Sequence, residues 1–372
     1  SAAALLVHAH LDVVPADPAG WSVPPFAAEI REDSQYGELL YGRGAVDMKG
    51  FAGTLVAVVR EWARTGTGPR RDVILAFLAD EEAGGVWGAK WLVENRPDLF
   101  SRATEAIGEV GGFSVPLPAG SGHRRAYLLA TAEKGAGWAR LHARGVAGHA
   151  SRQRRDSAVL RLARAVAALG AHRFSVQRTA ATAASVAAVT DLVGGLDGGD
   201  AALERALDEL GLVGEIVGAG LRHSAVPTML AAGYKINVVP AEALAEVDVR
   251  VLPGDEAGFR RAVEQIVGEE VTVEWGEAPA PTPSPVDGPL VETLRTAIAA
   301  DDPDGVVVPY LLPASTDSKN FSRLGIAGYG FTPLRVPDGF DTFGLFHAVD
   351  ECVPTDALRF GARVTERVLR TA

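Results

Sequence analysis

A single cysteine, Cys352, in 372 residues leaves the chain no internal disulfide. That usage points to a reducing, cytoplasmic compartment. Long apolar runs are missing too. None reaches the roughly 18 residues of a membrane span, and the Ala-rich stretch 180–189 is too short and small-sided to cross a bilayer. Positive charge is in deficit, 36 Lys and Arg against 47 Asp and Glu, for a net charge of -11. Such a field repels phosphate backbones and argues against a nucleic-acid partner. The local basic run Arg152, Arg154, Arg155, Arg161 and Arg164 reads as a solvated helix face. No methionine opens the chain, and Ser1 to Ala4 run straight into apolar Leu5-Leu6-Val7. A preceding segment is therefore expected to be missing, and any signal peptide with it.

What is present is an ordinary globular composition, 47% hydrophobic and 22% charged with 42 glycines and 22 prolines. The length suits two packed units or one large α/β domain. Short apolar runs end in His or carboxylate residues and lead into helical patterns, the alternation of a mostly parallel sheet. Leu5-Leu6-Val7 leads to His10 and Asp12, and Leu39-Leu40-Tyr41 leads to Asp47. Val73 to Leu78 leads to Asp80-Glu81-Glu82, and Ala106-Ile107 leads to Glu109. In open α/β sheets ligands bind beyond the carboxyl ends of the strands.

Between about 136 and 276 the pattern changes. An alternating strand around 139–144 precedes a helix near 153–170. Strands follow near 233–239 and 244–252, then a helix near 256–268 and a strand at 271–275. This β-α-β-β-α-β order is that of the ferredoxin-like sandwich, read here as an α+β domain inserted into the first. The resulting division is 1–135, 136–276 and 277–372. An Ala/Gly-rich insertion at 179–226, with one amphipathic helix at 201–210, has no assigned role. The proline-rich stretch 279–285 reads as a semi-rigid connector, and a helix at 355–369 closes the chain.

Two metals about 3.5 to 4 Å apart need a shared ligand, with His or carboxylate groups completing each shell. Asp47 follows the turn Gly42-Arg43-Gly44 and opens a helix, so it is the candidate bridge, although an Asp there can also be a simple helix cap. His8, His10 and Asp12 alternate along an extended segment and face one side. His10 reads as the ligand, with Asp12 as the carboxylate that orients its ring. His8, deeper in the strand, reads as structural. Adjacent Glu81 and Glu82 raise each other's pKa unless cations neutralise them. Their adjacency suggests divided labour, one binding metal while the other acts as general base.

Taken together these segments resemble the M20 family of metallopeptidases. The matching stretches are His8 to Pro15, Gly42 to Gly50, Asp80-Glu81-Glu82, Glu109 before Gly111-Gly112, Gly148-His149-Ala150-Ser151, Lys235 to Pro240 and His347 to Glu351. They run in the family's order over nearly the whole chain. Thr316 to Phe321 and Tyr329 to Pro333 look closest to the carboxypeptidase S branch. The resemblance implies two zinc ions, with cobalt or manganese as substitutes. It puts His10 and Glu109 on one ion, Glu82 and His347 on the other, Asp47 between them, and Glu81 as general base. It further implies a homodimer formed through the inserted domain, His149 reaching the partner's active site to stabilise the oxyanion, and Asn237 and Arg250 holding substrate.

The expected activity is hydrolysis of an amide beside a free carboxylate, in peptides or N-acyl amino acids. The alternatives are a biosynthetic deacylase and a catalytically silent binding protein of the same fold. Two departures from the pattern stand out. Arg152 to Arg155 follow the Gly-His-Ala-Ser motif where a proline is common, and Leu312 to Ser315 stand where some carboxypeptidases place an arginine.

Overall fold

The computed structural model describes residues 3–152, 154–276 and 280–372. Glu277 and Pro279, at the expected boundary and connector, lie outside the described residues, as do Ser1, Ala2 and Gln153.

Ala4–His10 is buried along its whole length. It pairs in parallel with Val73–Leu78 on one side and Ala103–Gly108 on the other. A continuous apolar run is what a strand covered on both faces needs. Ala327–Gly330 extends the parallel set beyond Ala103–Gly108 and touches Arg125–Glu133. Gly305–Leu312 pairs with Arg125–Glu133 in parallel, while Ser114–Pro116 and Thr282–Pro283 pair with it antiparallel. The eight-stranded sheet is thus mixed and mostly parallel.

Successive side chains of the central strand serve opposite faces. Leu5, Val7 and Ala9 join the core made with the helices Lys49–Thr65, Pro289–Asp301 and Thr355–Thr371, through Leu55, Leu294 and Phe360. Leu6 instead packs with Leu78, Val93 and Phe321. His8 and His10 share the parity of Leu6 and so look toward that second face.

The run Leu39 to Tyr41 does not enter this sheet. It lies in Gly37–Tyr41, the middle strand of a separate antiparallel sheet between Glu29–Asp33 and Cys352–Pro354. The tight turn before it, with Gly37 at φ +79°, makes a hairpin rather than a crossover.

A second sheet, in the order Ser224–Ala232, Glu242–Val251, Gly135–Arg144, Val271–Trp275, is antiparallel throughout. The helices Ala158–Ala171 and Glu256–Val267 cover one face, burying Leu162, Leu169, Phe259 and Val263 against Leu141 and Val247. Three expectations need correction here. The first helix starts at Ala158, where the Ser157 hydroxyl accepts from Leu160 N–H, not near 153. The strand expected at 233–239 is Ser224–Ala232, an edge strand whose register shifts between Pro227 and Met229. Proline is tolerated at such an edge, and five of its last six residues are exposed, so it shows little hydrophobic alternation.

The third correction concerns the 136–276 unit, which is not one packed body. Its middle forms the helices Ala180–Leu192, Gly199–Glu209 and Leu212–Gly220. They bury Val189, Leu203, Val213 and Val217 against Leu128, Val308 and Tyr310 of the large sheet. Ala180–Leu192 carries no apolar stripe, and its small side chains let it lie close on Gly305–Leu312. No helix among the described residues is long and apolar enough to cross a membrane.

Candidate active site

Three parallel strands end along one edge. The first ends at His10, paired in register with Leu78. The second leads, after Leu78, into the short turn Glu81–Ala83. The third ends at Gly108, so Glu109 follows at once. Asp47 arrives from the hairpin side, just ahead of helix Lys49–Thr65. His347 comes from a turn before Cys352–Pro354, with its backbone at φ +61°.

These side chains converge. His10 Nε2 lies 3.0 Å from Asp47 Oδ1 and 3.4 Å from Glu109 Oε2. His347 Nε2 lies 3.2 Å from Asp47 Oδ2 and 3.1 Å from Glu82 Oε2. The two oxygens of Asp47 thus face different imidazoles. Two overlapping groups, His10 with Glu81 and Glu109, and His10 with Asp47 and Glu82, bring their donor atoms within 4.8 Å of one another. His10, Asp47 and Glu109 are buried.

The electrostatics follow from this crowding. Burial opposes the charge of His10, but hydrogen bonds to Asp47 and Glu109 outweigh it and push the ring up to about 12. Burial, then the charges of Glu109 and Asp317, push Glu81 up to about 9. Burial raises Glu109 to about 7 against the pull of His10. Glu82 is raised by burial and by Asp47. Burial opposes the charge of Asp47 as well, yet its bond to His10 holds it below the usual carboxylate range. An all-imidazole and carboxylate donor set with surplus negative charge fits divalent cations, which would neutralise it.

The role expected for Asp12 changes. His10 Nδ1 bonds the Asp12 backbone carbonyl at 3.0 Å, whereas the carboxylate lies 3.6 Å from that nitrogen. The Asp12 carboxylate instead accepts the backbone N–H groups of Glu81 (3.2 Å) and Glu82 (3.1 Å). His8 is structural in its contacts: Nε2 meets Ser318 Oγ at 3.2 Å, and burial, with the charge of His10, lowers its pKa to about 3. Its ring occupies the space a Cβ at Gly108 would need, with a ring carbon 2.3 Å away.

Three residues given no role by sequence reasoning belong to this region. Asp317 is buried, with Oδ1 3.4 Å from Asn320 Nδ2 and Oδ2 without a hydrogen-bond partner among the described residues. Gly85, at φ +70°, leaves room for it, since a Cβ there would lie 2.6 Å from Asp317 Oδ1. Lys319, on the short helix Ser318–Phe321, pulls down the pKa values of Glu81, Asp317 and Glu133. Its ammonium has no hydrogen-bond or ion-pair partner among the described residues. Glu351 is completely buried and holds the loop that carries Asp47. The stretches Thr316 to Phe321 and His347 to Glu351 carried the family pattern, the one signal available.

His149, Asn237 and Arg250 lie apart from the cluster. His149 is exposed, and its Nδ1 lies 2.8 Å from Ser151 Oγ. Asn237 is exposed, and its backbone carbonyl accepts from Ala150 N–H at 3.1 Å. Arg250 is held by both carboxylate oxygens of Asp248, at 2.7 and 2.9 Å. No hydrogen bond or ion pair among the described residues joins any of them to the metal-type donors.

Imidazoles and carboxylates gathered at the carboxyl ends of a parallel sheet are the equipment of a metal-dependent hydrolase. The pattern of Peptidase family M20/M25/M40 matches residues 6–371, and the chain belongs to that family. Human aminoacylase-1 is 27% identical over 339 residues, covering 89% of this chain and 72% of that protein. A probable carboxypeptidase S-like 2 of Dictyostelium discoideum is 29% identical over 380 residues, covering 93% and 67%. Among solved structures, an M20 family metallo-carboxypeptidase of Sulfolobus solfataricus superposes with a TM-score of 0.70 at 19% identity, covering 99% of this chain and 84% of that one.

Proposed function

We propose that this chain hydrolyses the amide bond of an N-acyl amino acid or short peptide beside a free carboxylate, using two zinc ions. His10 and Glu109 would hold one ion and Glu82 and His347 the other, with Asp47 available to both. The observation that carries this reading is the placement of the two Asp47 oxygens, 3.0 Å from His10 and 3.2 Å from His347. A bound zinc supplies a Lewis acid for the carbonyl and a lower pKa for the attacking water. With ions bound, their charge would lower Glu81 from its raised value in the metal-free site, so that it could take a proton from the attacking water and pass it to the leaving amine. Asp12 keeps Glu81 and Glu82 at their stations through the backbone. Lys319, whose ammonium has no hydrogen-bond or ion-pair partner among the described residues and whose charge acts on Glu81, meets the substrate carboxylate; Arg250, committed to Asp248, is less free to do so.

The domain division is revised to a catalytic unit that includes the helices of 180–220 and a smaller unit built on the four-stranded antiparallel sheet. That smaller unit is the dimerisation module. Its edge strand Ser224–Ala232 and the following turn leave Met229, Leu230, Tyr234 and Ile236 largely exposed, a patch suited to a second copy. His149 contributes to catalysis only from the partner. Cytoplasmic residence is proposed from the lone, buried thiol of Cys352.

The test is Glu81→Gln, assayed with zinc over a panel of N-acyl amino acids and dipeptides. The variant is expected to keep metal and lose turnover by orders of magnitude. Near-wild-type turnover would remove Glu81 as base, and activity only toward one biosynthetic acyl intermediate would favour the deacylase reading.

A further inference from the structure

The loop that carries Asp47 is built around one buried carboxylate from the far end of the chain. Glu351 Oε1 accepts from the backbone N–H of Val46 at 2.7 Å and of Asp47 at 3.0 Å. Its Oε2 accepts from Gly44 N–H at 2.9 Å and from Arg43 Nη1 at 2.8 Å. Four donors thus meet two oxygens, and Glu351 is wholly shielded from solvent. Arg43 is buried as well, and its second nitrogen donates to the backbone carbonyl of His347 at 3.2 Å.

A carboxylate that accepts three main-chain N–H groups of one loop fixes that loop's path far better than side-chain packing does, because every alternative leaves buried donors unpaired. His347, held at φ +61°, is in a conformation that a non-glycine residue keeps only when its surroundings impose it. The bond from Arg43 lands on that residue's own carbonyl. One ion pair therefore sets the backbone of two separate side chains of the cluster, Asp47 and His347.

We propose that Glu351 is a positioning residue for the metal cluster, acting on Asp47 through the loop 44–47 and on His347 through Arg43. The inference rests on the reading of Asp47 and His347 as metal ligands. It assigns Glu351 the task of presenting a bridging carboxylate at the correct reach, and Arg43 the task of keeping the two halves of the site in step. Glu351→Gln keeps the shape but turns an amide –NH2 toward two of the four donors, so the loop must shift. Arg43→Met keeps the three main-chain bonds, frees the His347 turn and leaves the buried Glu351 carboxylate without its cation.

The experiment is a calorimetric zinc titration of the metal-free full chain beside thermal unfolding of the same metal-free proteins. Glu351→Gln leaves the Arg43 charge without its partner and is open to unfolding, so the double variant Arg43→Met/Glu351→Gln, which removes both charges, is titrated with it. Wild type is expected to take two ions. In the folded double variant both binding steps should weaken about 10- to 100-fold, the range typical of groups that orient metal ligands, while metal-free unfolding stays close to wild type. Arg43→Met alone should weaken one step and spare the other. A folded double variant with wild-type affinities for both ions overturns the proposal. Wild type that takes no zinc overturns instead the metal reading on which it stands.

Discussion

The carboxylate of Asp12 accepts a hydrogen bond from the backbone N–H of Glu81, a residue 69 positions further along the chain, at 3.2 Å. Its other oxygen does the same for Glu82 at 3.1 Å. Asp12 thus governs where the Glu81–Glu82 turn sits rather than how the His10 ring is turned. In Asp12→Asn one of those oxygens becomes an –NH2 facing an N–H. Turnover should fall about 10- to 100-fold, and the zinc step that Glu82 serves should weaken, while the step that His10 and Glu109 serve changes less. Steady-state kinetics beside a zinc titration checks this, and unchanged turnover with both zinc steps intact would remove Asp12 as the support of the turn.

Lys319→Met removes the ammonium whose charge reaches Glu81. If that ammonium meets the substrate carboxylate, kcat/KM for an N-acyl amino acid should drop roughly 10- to 100-fold, the worth of a charge-assisted hydrogen bond. Most of the loss should appear in KM. Lys319→Arg should restore much of it, and the corresponding amide substrate, which lacks the carboxylate, should be indifferent. A loss in kcat alone, equal for both substrates, would exclude the assignment.

Much of this arrangement is legible in the sequence, and the reasons are local. His10, Glu81, Glu82 and Glu109 each sit just past a short apolar run, and parallel strands necessarily gather such positions at one edge. Asp47 was readable from its glycine-rich turn, although that turn belongs to a hairpin outside the main sheet. Glu351 and Lys319 were not readable as functional. The carboxylate of Glu351 accepts from main-chain N–H groups that leave no signature in sequence, and Lys319 stands out only because folding leaves its ammonium without a hydrogen-bond or ion-pair partner among the described residues. Ser224–Ala232 escaped detection because an edge strand exposed on both faces has no alternation to display. Ala180–Leu192 escaped because an alanine helix lying on a sheet needs no stripe.

Zinc binding to the metal-free protein should release protons at pH 7. His10 is held at about 12 by its bonds to Asp47 and Glu109, which outweigh its burial, and burial raises Glu109 to about 7. A ligating imidazole must surrender a proton, as must any protonated carboxyl. Titrations in buffers of different ionisation enthalpy should therefore give heats that vary with the buffer. Heats that do not vary would contradict the protonated His10.

Glu81 and His10 shape how metal-free stability responds to pH. Both are raised in the folded state, Glu81 from 4.5 to about 9 and His10 from 6.5 to about 12. A raised group contributes its stability fully below its unfolded value and loses it as pH climbs toward the folded one. Chelated protein should thus melt at progressively lower temperature from pH 6 to pH 9. Glu81→Gln should flatten that slope, since it removes a titration that lies in this window. A chelated wild type whose melting temperature is constant or rises over the window would refute the assignment.

The pair formed by Arg43 and Glu351 joins positions 308 residues apart, and Cys352–Pro354 zips onto Gly37–Tyr41 beside it. During synthesis, a nascent chain stopped short of residue 347 holds the residues of the central strands and their acidic edge, yet it lacks the His347 turn and the Glu351 carboxylate that accepts from the Asp47 loop. Closing so long a loop is slow and comes late in folding. Hydrolytic competence should therefore arise late in folding, once this last segment has closed on the hairpin.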